Sequence, residues 1–521
     1  MSPPLPEKIV TVKLENEVTA VFSGLRIPEL NELYERYGLH AKNYFFDPRY
    51  QLDRWDGKIR FFKKGGRTFV QLVPEILEYL HSIGYKIKVV DERRPFTVSK
   101  KVIDESYFAD YGWTLGEHQV KAINAIFEHN SGVIRVGTGG GKTLITGVLC
   151  DRYIKEKMKI IVIVPNKDLV RQTKAEISQF DFSVGAFYQE EKNLDCDVVV
   201  STWQSLAANK QIITMFDVVM VDECHGAKTT TQLASVLGEE GRDIPIRIGM
   251  TGSLPKHHAD LLTVLCHLGP VRATVKSSTL IEAGWLAELN MVMYEFKEDF
   301  KDDWEEFKKA EPERVKEEEL TYTKFRNKVL FPTFEAEKKY LSSFSYRMQV
   351  LLPMIKECTS KYGNSFILVN SVAFGKTLAK ELGENAVFIA SSIKDRGTIY
   401  DAFDTNNNMI GIATFSLAST GLNIPRIFNL FSIDGGKSSI RVIQSIGRIL
   451  RKARDKDTGN VIDFYSDLKF SKKHAGARRK IYKEENYPYD LMKIDKDTIV
   501  TDMLAKLAKK DKENIKKEVL E

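Results

Sequence analysis

The chain has 521 residues, 43% of them hydrophobic, and its 77 basic and 71 acidic residues leave a formal net charge of +6. This length predicts about three or four domains with cores of their own, and the composition excludes an intrinsically disordered chain. The small net charge does not by itself indicate a nucleic-acid partner.

Cysteine use and hydropathy bound the cellular setting. The five cysteines lie far apart in the sequence, without the close pairs of a metal knuckle or a disulfide framework. No uninterrupted apolar run reaches membrane-spanning length, and residues 1–30 lack the pattern of a secretory leader. We therefore expect a soluble, cytoplasmic protein without a membrane partner.

Residues 1–95 end in the polar break Asp91–Pro95 and predict a separate small α+β domain. Within it, Asp56-Gly57 is typical of a hairpin turn, and the alternation that follows places Lys58 and Arg60 on one face. These two cations could neutralise DNA phosphates while a neighbouring aromatic ring packs against sugars or bases.

The same segment has a structural interpretation. Trp55, Ile59 and Phe61 could instead form the core of the small domain, with the cations keeping an edge strand in solution. The residue pattern favours neither alternative.

A glycine-rich turn, Gly137-Thr138-Gly139-Gly140-Gly141-Lys142-Thr143, lies between an apolar strand and a helical pattern. Backbone N–H groups of such a turn bind phosphate, Lys142 would reach the β- and γ-phosphates of ATP, and the Thr143 hydroxyl would ligate Mg²⁺. Val136 stands where the strict pattern has glycine, so a plain turn is the alternative interpretation.

Residues 216–221 predict a buried strand that ends in the carboxylates Asp222 and Glu223. Asp222 could hold Mg²⁺ through water, and Glu223 could polarise the water that attacks the γ-phosphate. A capped acidic turn at the surface is the alternative.

Residues 295–337 are rich in lysine and glutamate, and Trp304, Phe307 and Phe325 have the spacing of amphipathic helices. We expect a helical insert and assign no chemistry to it. Further on, residues 469–483 carry seven basic residues and no acid, which indicates either a DNA-backbone contact or a solvated tail.

Near residue 450, Gln444, Arg448 and Arg451 have helical spacing, and the two arginines share one face. They could act as arginine fingers on the γ-phosphate of a distant ATP site. A solvated arginine pair is the alternative.

Both halves of the chain alternate near-continuous apolar runs with helical patterns, as parallel sheets buried on both faces require. In the first half these runs are 159–164, 197–201, 217–221 and 246–251. In the second half they are 366–369, 386–390, 409–414, 427–433 and 461–464.

In their order along the chain, these motifs resemble the superfamily 2 helicases and translocases. The resemblance implies an α/β fold of two tandem RecA-like parallel-sheet lobes after a small α+β DNA-binding domain. It also implies roles for further residues: Gln119 for adenine, Gly421 and Gln444 for the nucleotide, Pro165, Arg171, Thr202, Trp203, Asn370 and Thr414 for the nucleic-acid strand, and His225, Thr251 and Ser253 for coupling ATP to that strand. Gly252 departs from the alanine usual in the superfamily.

The segment Asp47–Arg60, placed ahead of such a motor, is similar to that of the bacteriophage UvsW-type recombination helicases. This narrower resemblance adds Arg49 and Arg54 to Trp55, Lys58 and Arg60 as DNA contacts. It implies a 3′-to-5′ motor that uses ATP and Mg²⁺ to remodel Holliday junctions, stalled forks and R-loops in recombination, repair and replication.

The predicted organisation is a small domain at 1–95, a first lobe at 96–290, a helical linker at 291–350, a second lobe at 351–470 and a basic extension at 471–521. The expected partners are branched, duplex and single-stranded DNA, an RNA–DNA hybrid, and recombination or replication proteins. The alternatives are an RNA helicase, an ATP-controlled DNA-binding or annealing protein without directional unwinding, and the motor subunit of a restriction system.

Overall fold

The computed structural model of the chain describes residues 8–99, 102–137, 139–228, 231–343, 347–390, 393, 397–418, 426–436, 446–447, 449–453, 455–495, 497–498, 500–505 and 507. The chain divides into two compact units. The first unit contains Met1–Gly137 and Gly141–Val275, and the second contains Thr138–Gly140 and Lys276–Glu521.

The first unit begins with a small α+β domain. Its elements are β1 Ile9–Leu14, β2 Thr19–Ser23, α1 Ile27–Arg36, β3 Gly38–His40, α2 Pro48–Gln51, β4 Lys58–Arg60, β5 Arg67–Phe69, α3 Val73–Ser82 and β6 Lys86–Asp91. Four strands form a sheet of order β5-β2-β1-β6, in which only the β1–β6 pair is parallel. The remaining two strands, β3 and β4, form an antiparallel ribbon.

A seven-stranded sheet follows in the same unit. Its elements are α4 Glu117–His129, β7 Ser131–Val136, α5 Lys142–Lys155, β8 Ile160–Val164, α6 Lys167–Ile177, β9 Val184–Phe187, β10 Val198–Thr202, α7 Trp203–Ala208, β11 Val218–Asp222, α8 Gln232–Gly238, β12 Ile246–Thr251, α9 His258–Leu268 and β13 Val271–Val275. The strand order is β13-β7-β12-β11-β8-β10-β9, and every pair is parallel. Alternate residues of β8 enter different cores, with Ile160 and Val162 on one face and Ile161 and Ile163 on the other.

The small domain packs directly on helix α9, which follows strand β12 of the seven-stranded sheet. Ala259 and Cys266 of α9 belong to the same hydrophobic cluster as the core of the small domain. The Phe69 ring lies 5.5 Å from the His267 ring, and the Glu17 N–H donates to the Arg242 carbonyl at 3.0 Å. The two sheets of this unit therefore share buried apolar surface and do not meet through a linker alone.

The second unit contains another seven-stranded sheet. Its elements are α10 Ser277–Glu282, β14 Glu288–Phe296, α11 Lys301–Ala310, α12 Pro312–Glu317, α13 Tyr322–Lys324, α14 Phe334–Leu341, α15 Arg347–Tyr362, β15 Ser365–Val369, α16 Val372–Leu382, β16 Ala386–Phe388, α17 Gly397–Thr405, β17 Ile410–Thr414, α18 Phe415–Ala418, β18 Asn429–Ile433, β19 Thr458–Ser466, α19 Lys469–Glu484 and β20 Asp490–Ile494. The strand order is β16-β17-β15-β18-β19-β14-β20, again with every pair parallel.

The two parallel sheets and the preceding α+β domain confirm the predicted fold class. The sequence analysis did not recognise β14, whose residues pair with β19 and β20 inside the second sheet. The predicted domain boundary at residue 290 falls inside this strand, because its apolar run was not followed by a recognisable turn. Among the described residues, no helix is both long enough and apolar enough to cross a membrane.

The predicted insert is helical and belongs to the second unit. The rings of Trp304 and Phe307 lie 5.1 and 4.9 Å from the ring of Phe325, so the three aromatic residues of the amphipathic pattern form one cluster. Farther along, the Glu337 carboxylate accepts backbone N–H bonds from Phe470 at 2.9 Å and Ser471 at 2.6 Å. These bonds attach helix α14 of the insert to the first turn of α19.

Helix α19 carries the basic run predicted as a patch, but one of its cations points inward. The Arg478 guanidinium is buried and binds both oxygens of the buried Asp463 carboxylate, at 2.8 and 2.9 Å. The Tyr482 hydroxyl donates to the same carboxylate at 2.7 Å. Assigning Arg478 to a surface patch was therefore wrong, because a run of like charges in a helix still has a face that packs on the sheet.

Replacing Arg478 with methionine should lower the free energy of unfolding by about 3–5 kcal/mol, because Asp463 would keep its charge in a buried site without its cation. Urea denaturation followed by circular dichroism measures this loss. The neighbouring Arg479→Met variant is the control, with an expected change within about 0.5 kcal/mol. Equal midpoints for the two variants would contradict the structural role of the Arg478–Asp463 pair.

Candidate active site

The glycine-rich turn joins β7 to the N-terminus of α5, as a phosphate-binding loop requires. Gly139 and Gly141 have φ angles of +84° and +77°, in the left-handed region that glycine favours. A Cβ atom on Gly141 would also lie 2.1 Å from Gln119 Nε2, so a larger residue there would displace the Gln119 amide. Thr138, another predicted member of the loop, lies outside the described residues.

The first side chain of α5, Lys142, meets the carboxylates at the end of β11. Its Nζ lies 3.0 Å from Glu223 Oε1 and 3.8 Å from Asp222 Oδ1. Burial alone would raise the pKa of Glu223, but the Lys142 ammonium and the His225 ring outweigh it and lower that pKa below its usual value. Burial raises the pKa of Asp222 against the opposing effect of Lys142. The structure thus brings together three predicted catalytic residues.

The Thr143 hydroxyl donates to Glu176 Oε2 at 2.7 Å, and the other oxygen of Glu176 accepts from Gln172 Nε2 at 2.6 Å. The sequence analysis missed Glu176, since nothing in the sequence of α6 marks one of its acids as a neighbour of the phosphate loop. Hydroxyl and carboxylate oxygens are the donors that Mg²⁺ prefers, so Thr143 and Asp222 fit the predicted metal ligands. The described residues contain no cluster of three acidic, His or Cys ligands.

Gln119 lies in the first turn of α4 and is buried beside the phosphate loop. Its Oε1 accepts the Gly116 N–H at 2.9 Å, and its Nε2 is 3.5 Å from the Gly141 carbonyl. The N-terminus of α4 therefore fixes the Gln119 amide next to the loop.

Two of the three predicted coupling residues meet at Glu223, and the third contacts one of them. His225 Nδ1 lies 3.2 Å from Glu223 Oε2 and 3.0 Å from the Thr251 hydroxyl, which is itself 3.2 Å from the same carboxylate oxygen. The Ser253 N–H donates to the Thr251 hydroxyl at 3.2 Å. A continuous set of polar contacts thus runs from the carboxylate to the segment that leads into α9.

The predicted strand contacts of the first sheet lie at its carboxyl edge. Pro165 follows β8, and Thr202 ends the neighbouring strand β10. The Gln204 side chain donates to the Pro165 carbonyl at 3.4 Å, and Trp203 is half-buried at the start of α7. The guanidinium of Arg171, on α6, is paired with Glu190 at the surface.

In the second unit, Asn370 follows β15, and Thr414 ends the neighbouring strand β17. The Asn370 amide donates to the Asp434 carbonyl, and the Thr414 hydroxyl accepts the Leu417 N–H at 3.4 Å. Arg451 is half-buried. Three other predicted residues, Gly421, Gln444 and Arg448, lie outside the described residues.

A buried lysine that the sequence analysis missed holds the backbone around Arg451. Lys456 is 1% exposed, and its Nζ donates to the carbonyls of Ile449 and Arg451, the latter at 3.0 Å. Burial, together with the nearby charge of Arg451, lowers the pKa of Lys456 to about 7. No sequence signal distinguishes this lysine from its exposed neighbours.

In the small domain, the predicted basic face is largely occupied by ion pairs. Glu35 of α1 binds Lys58 at 3.1 Å and Arg60 at 3.0 Å, and the Arg60 side chain is only 8% exposed against the Tyr34 ring. This geometry favours the structural interpretation for Arg60.

The other predicted residues of the small domain are nearer the surface. Arg49 is paired with Asp47 and lies 4.9 Å from the Trp55 ring, whose N–H donates to the Lys58 carbonyl at 2.9 Å. Arg54 is exposed. Arg49 and Arg54 are therefore the members of the predicted set best placed to meet a ligand from solvent.

The chain is similar to several known proteins. A family profile described as "Type III restriction enzyme, res subunit" matches residues 113–256. The chain is 24% identical to the ATP-dependent DNA helicase uvsW of Enterobacteria phage T4 over 498 residues, which span 89% of this chain and 93% of that protein. It is 22% identical to the DNA 3′-5′ helicase XPB of Mycobacterium tuberculosis over 405 residues, 74% of this chain and 66% of that protein.

Among solved structures, S. cerevisiae Dbp5 bound to RNA and ADP BeF3 matches with a TM-score of 0.51 and 16% identity, over 80% of this chain and 96% of that one. This structural likeness supports the fold alone. The sequence similarities confirm the predicted resemblance to superfamily 2 helicases and the predicted enzyme class, an ATP-dependent helicase.

The lowered pKa of Lys456 predicts a pH dependence of stability. The native chain binds fewer protons than the unfolded chain between pH 7 and the ordinary lysine pKa of 10.5, so this residue makes stability rise with pH across that window. Urea denaturation of the wild type and of Lys456→Met at pH 7, 8 and 9 measures the effect. In Lys456→Met, the slope of the free energy of unfolding against pH should be smaller than in the wild type by up to about 1.4 kcal/mol per pH unit. Equal slopes in the two proteins would contradict the burial of a titrating ammonium group.

Proposed function

We propose that this chain is an ATP-dependent DNA helicase and translocase that moves 3′-to-5′ and remodels Holliday junctions, stalled forks and R-loops in recombination, repair and replication. The observation that carries the proposal is the contact series from Lys142 through Glu223 to Thr251 at the carboxyl edge of the first sheet. DNA as the substrate is supported by the similarity to the phage T4 helicase over most of both chains. The polarity is supported by the similarity to the 3′-5′ helicase XPB.

The residues at the loop suit ATP hydrolysis. Bound Mg²⁺, with Thr143 and Asp222 among its ligands, would neutralise charge on the phosphates. Lys142 would contact the β- and γ-phosphates. Glu223 would orient the attacking water and accept its proton. Gln119 would contact the adenine base.

Coupling of ATP hydrolysis to DNA would use the polar contacts that link Glu223 and His225, after β11, to Thr251 at the end of β12. A change in the partners of Glu223 reaches His225 and Thr251 directly, and Ser253 through its N–H bond to Thr251. The strand contacts would come from the sheet edges, with Pro165 and Thr202 in the first unit and Asn370 and Thr414 in the second. Arg49 and Arg54 of the small domain would grip duplex arms through phosphate.

Lys142→Ala and Glu223→Gln should each abolish ATP turnover and strand separation while leaving most of the DNA affinity, because phosphate binding and water activation are lost and the DNA surfaces remain. Coupled-assay ATPase measurements and fluorescence-anisotropy DNA titrations test this outcome. Lys155→Ala, at the other end of the same helix, is the control and should keep both activities. Branch migration at the wild-type rate by either active-site variant would refute the mechanism.

The substrate preference can be measured on single-stranded, linear duplex, forked, four-way and RNA-hybrid nucleic acids, with Lys142→Ala as the blank. The proposal expects the fastest strand separation on forked and four-way DNA, and ATP-dependent displacement of a streptavidin block from one strand end only. Preference for RNA duplexes would favour an RNA helicase. ATP-dependent annealing without block displacement would favour a switching DNA-binding protein.

Arg451 is proposed to supply positive charge to the γ-phosphate, together with Arg448. Arg451→Ala should lower the kcat of DNA-stimulated hydrolysis by about 10³-fold or more, the scale of arginine fingers in general. The adjacent exposed Lys452→Ala is the matched control and should change kcat little. Unchanged turnover in Arg451→Ala would leave the finger role to Arg448 alone.

A further inference from the structure

Helix α19 presents a row of lysines on its outward face. The row consists of five exposed residues, Lys469, Lys472, Lys473, Lys480 and Lys483. At about 100° per residue, their positions fall within an arc of about 100° and extend over about 21 Å of the helix. In the middle of the row, a Cβ atom on Gly476 would have only one neighbour within 4 Å, the Arg479 side chain at 4.0 Å. The lysine row is therefore straight and unobstructed.

Few carboxylates compensate the charge of the lysine row. Residues 469–483 contain no acid, and the first acid of the helix is its last residue, Glu484. In the described part of the chain, only Lys472 of the row lies within ion-pair distance of a carboxylate, at 3.7 Å from Glu295 Oε1. The Glu295 side chain is 6% exposed and also pairs with Lys297 at 3.0 Å. The row thus keeps most of its positive charge towards solvent.

The opposite face of α19 is fixed to the rest of the second unit. Arg478 binds the buried Asp463 carboxylate of β19 at 2.8 Å, and the Tyr482 hydroxyl donates to the same carboxylate at 2.7 Å. In the first turn of the helix, the Ser471 N–H donates to Glu337 at 2.6 Å. The basic segment is therefore not a solvated tail, because its inward face holds the lysine row in one orientation.

A fixed line of cations suits the backbone of a nucleic-acid duplex. Each strand of B-form DNA carries one phosphate for about every 3.4 Å of the duplex axis, so a row of about 21 Å can meet several phosphates of one strand. Sites that hold single strands add aromatic rings on which bases stack. In α19, Phe470 is half-buried and Tyr482 is buried, so the row offers charge without a stacking surface. This combination favours a duplex over a single strand.

We propose that the lysine row of α19 binds the phosphate backbone of duplex DNA. The inference rests on the proposed DNA function and adds a duplex contact outside the small domain and outside the strand contacts at the sheet edges. Since phosphate contacts carry no sequence information, the row would accept any duplex arm. Because α19 is fixed to β19 through Arg478 and Asp463, a duplex bound by the row would move with the second sheet.

The double variant Lys473→Gln/Lys480→Gln should reduce the dependence of log affinity for a linear duplex on log salt by about 1.8, as expected for two lost phosphate contacts at about 0.9 each. Lys473→Arg/Lys480→Arg should keep the wild-type slope, because both charges remain. Lys376→Gln/Lys380→Gln removes two exposed lysines of α16 and is the control for net charge, with an unchanged slope expected. Anisotropy titrations without nucleotide, between about 50 and 200 mM salt, measure the slopes.

Lysine acetylation gives a second, independent measure on the wild-type chain. A saturating linear duplex should slow the reaction of the row lysines with an N-hydroxysuccinimide ester of acetate several-fold, because ammonium groups bound to phosphate are shielded from the reagent. Lys376 and Lys380 should react at the same rate with and without the duplex. Peptide mass spectrometry at timed intervals measures the rate at each lysine. Equal rates with and without the duplex along the whole row would contradict the proposal.

The outcomes separate this surface from the wider proposal. If the wild type binds duplex DNA and separates forked DNA while Lys473→Gln/Lys480→Gln keeps the wild-type slope, the row assignment is overturned and the helicase proposal stands. An equal loss of slope in the α16 control would assign the effect to net charge and also overturn it. A change of slope for an oligothymidylate but not for the duplex would overturn the duplex assignment. If the wild type binds no DNA and its ATPase ignores DNA, both proposals fail together.

Discussion

An ammonium group held beside two carboxylates at the carboxyl edge of a parallel sheet is the constraint on which the first unit depends. Lys142 begins α5 after β7, Asp222 ends β11 and Glu223 follows it, so the ion pair between Lys142 and Glu223 forms only if these distant segments reach the same edge. Strand β12 lies between β7 and β11 in the sheet. Its last residue, Thr251, is therefore placed within hydrogen-bond distance of Glu223, which gives a change at the phosphate site a direct polar route out of it.

That route leads towards the small N-terminal domain. The segment after Ser253 enters α9, and α9 contributes Ala259 and Cys266 to the core of the small domain. Because a close-packed core resists independent movement of its parts, a displacement of α9 would carry the small domain with it. Helix α2, which bears Arg49, and the following segment with Arg54 would then move with the first parallel sheet.

In the second unit, too, a few polar contacts join elements that lie far apart in the sequence. Glu337 anchors the insert to α19, and Arg478 fixes α19 to Asp463 on strand β19, which lies inside the sheet. In both contacts, a charged residue from a segment rich in charge binds a neighbouring element of the fold. The ring of Phe334 on α14 also lies 5.3 Å from the ring of His474 on α19. A charged insert and a basic helix, each open to a purely solvated interpretation, are thereby packed against each other.

The sequence by itself determined the fold class and the alternation of strands and helices, and it predicted which residues meet beside the glycine-rich turn. Those features depend on local spacing: apolar runs buried on both faces, glycines at left-handed turns, and charged residues at strand ends. It could not find β14, whose ends carry no turn signal, or Glu176 and Lys456, whose partners lie on other elements. It also could not separate Arg478 from the exposed lysines of α19, or Arg60 from Arg49. Only the tertiary structure decided which of these charged side chains are buried, because burial and pairing of a charge depend on which distant residues pack against it.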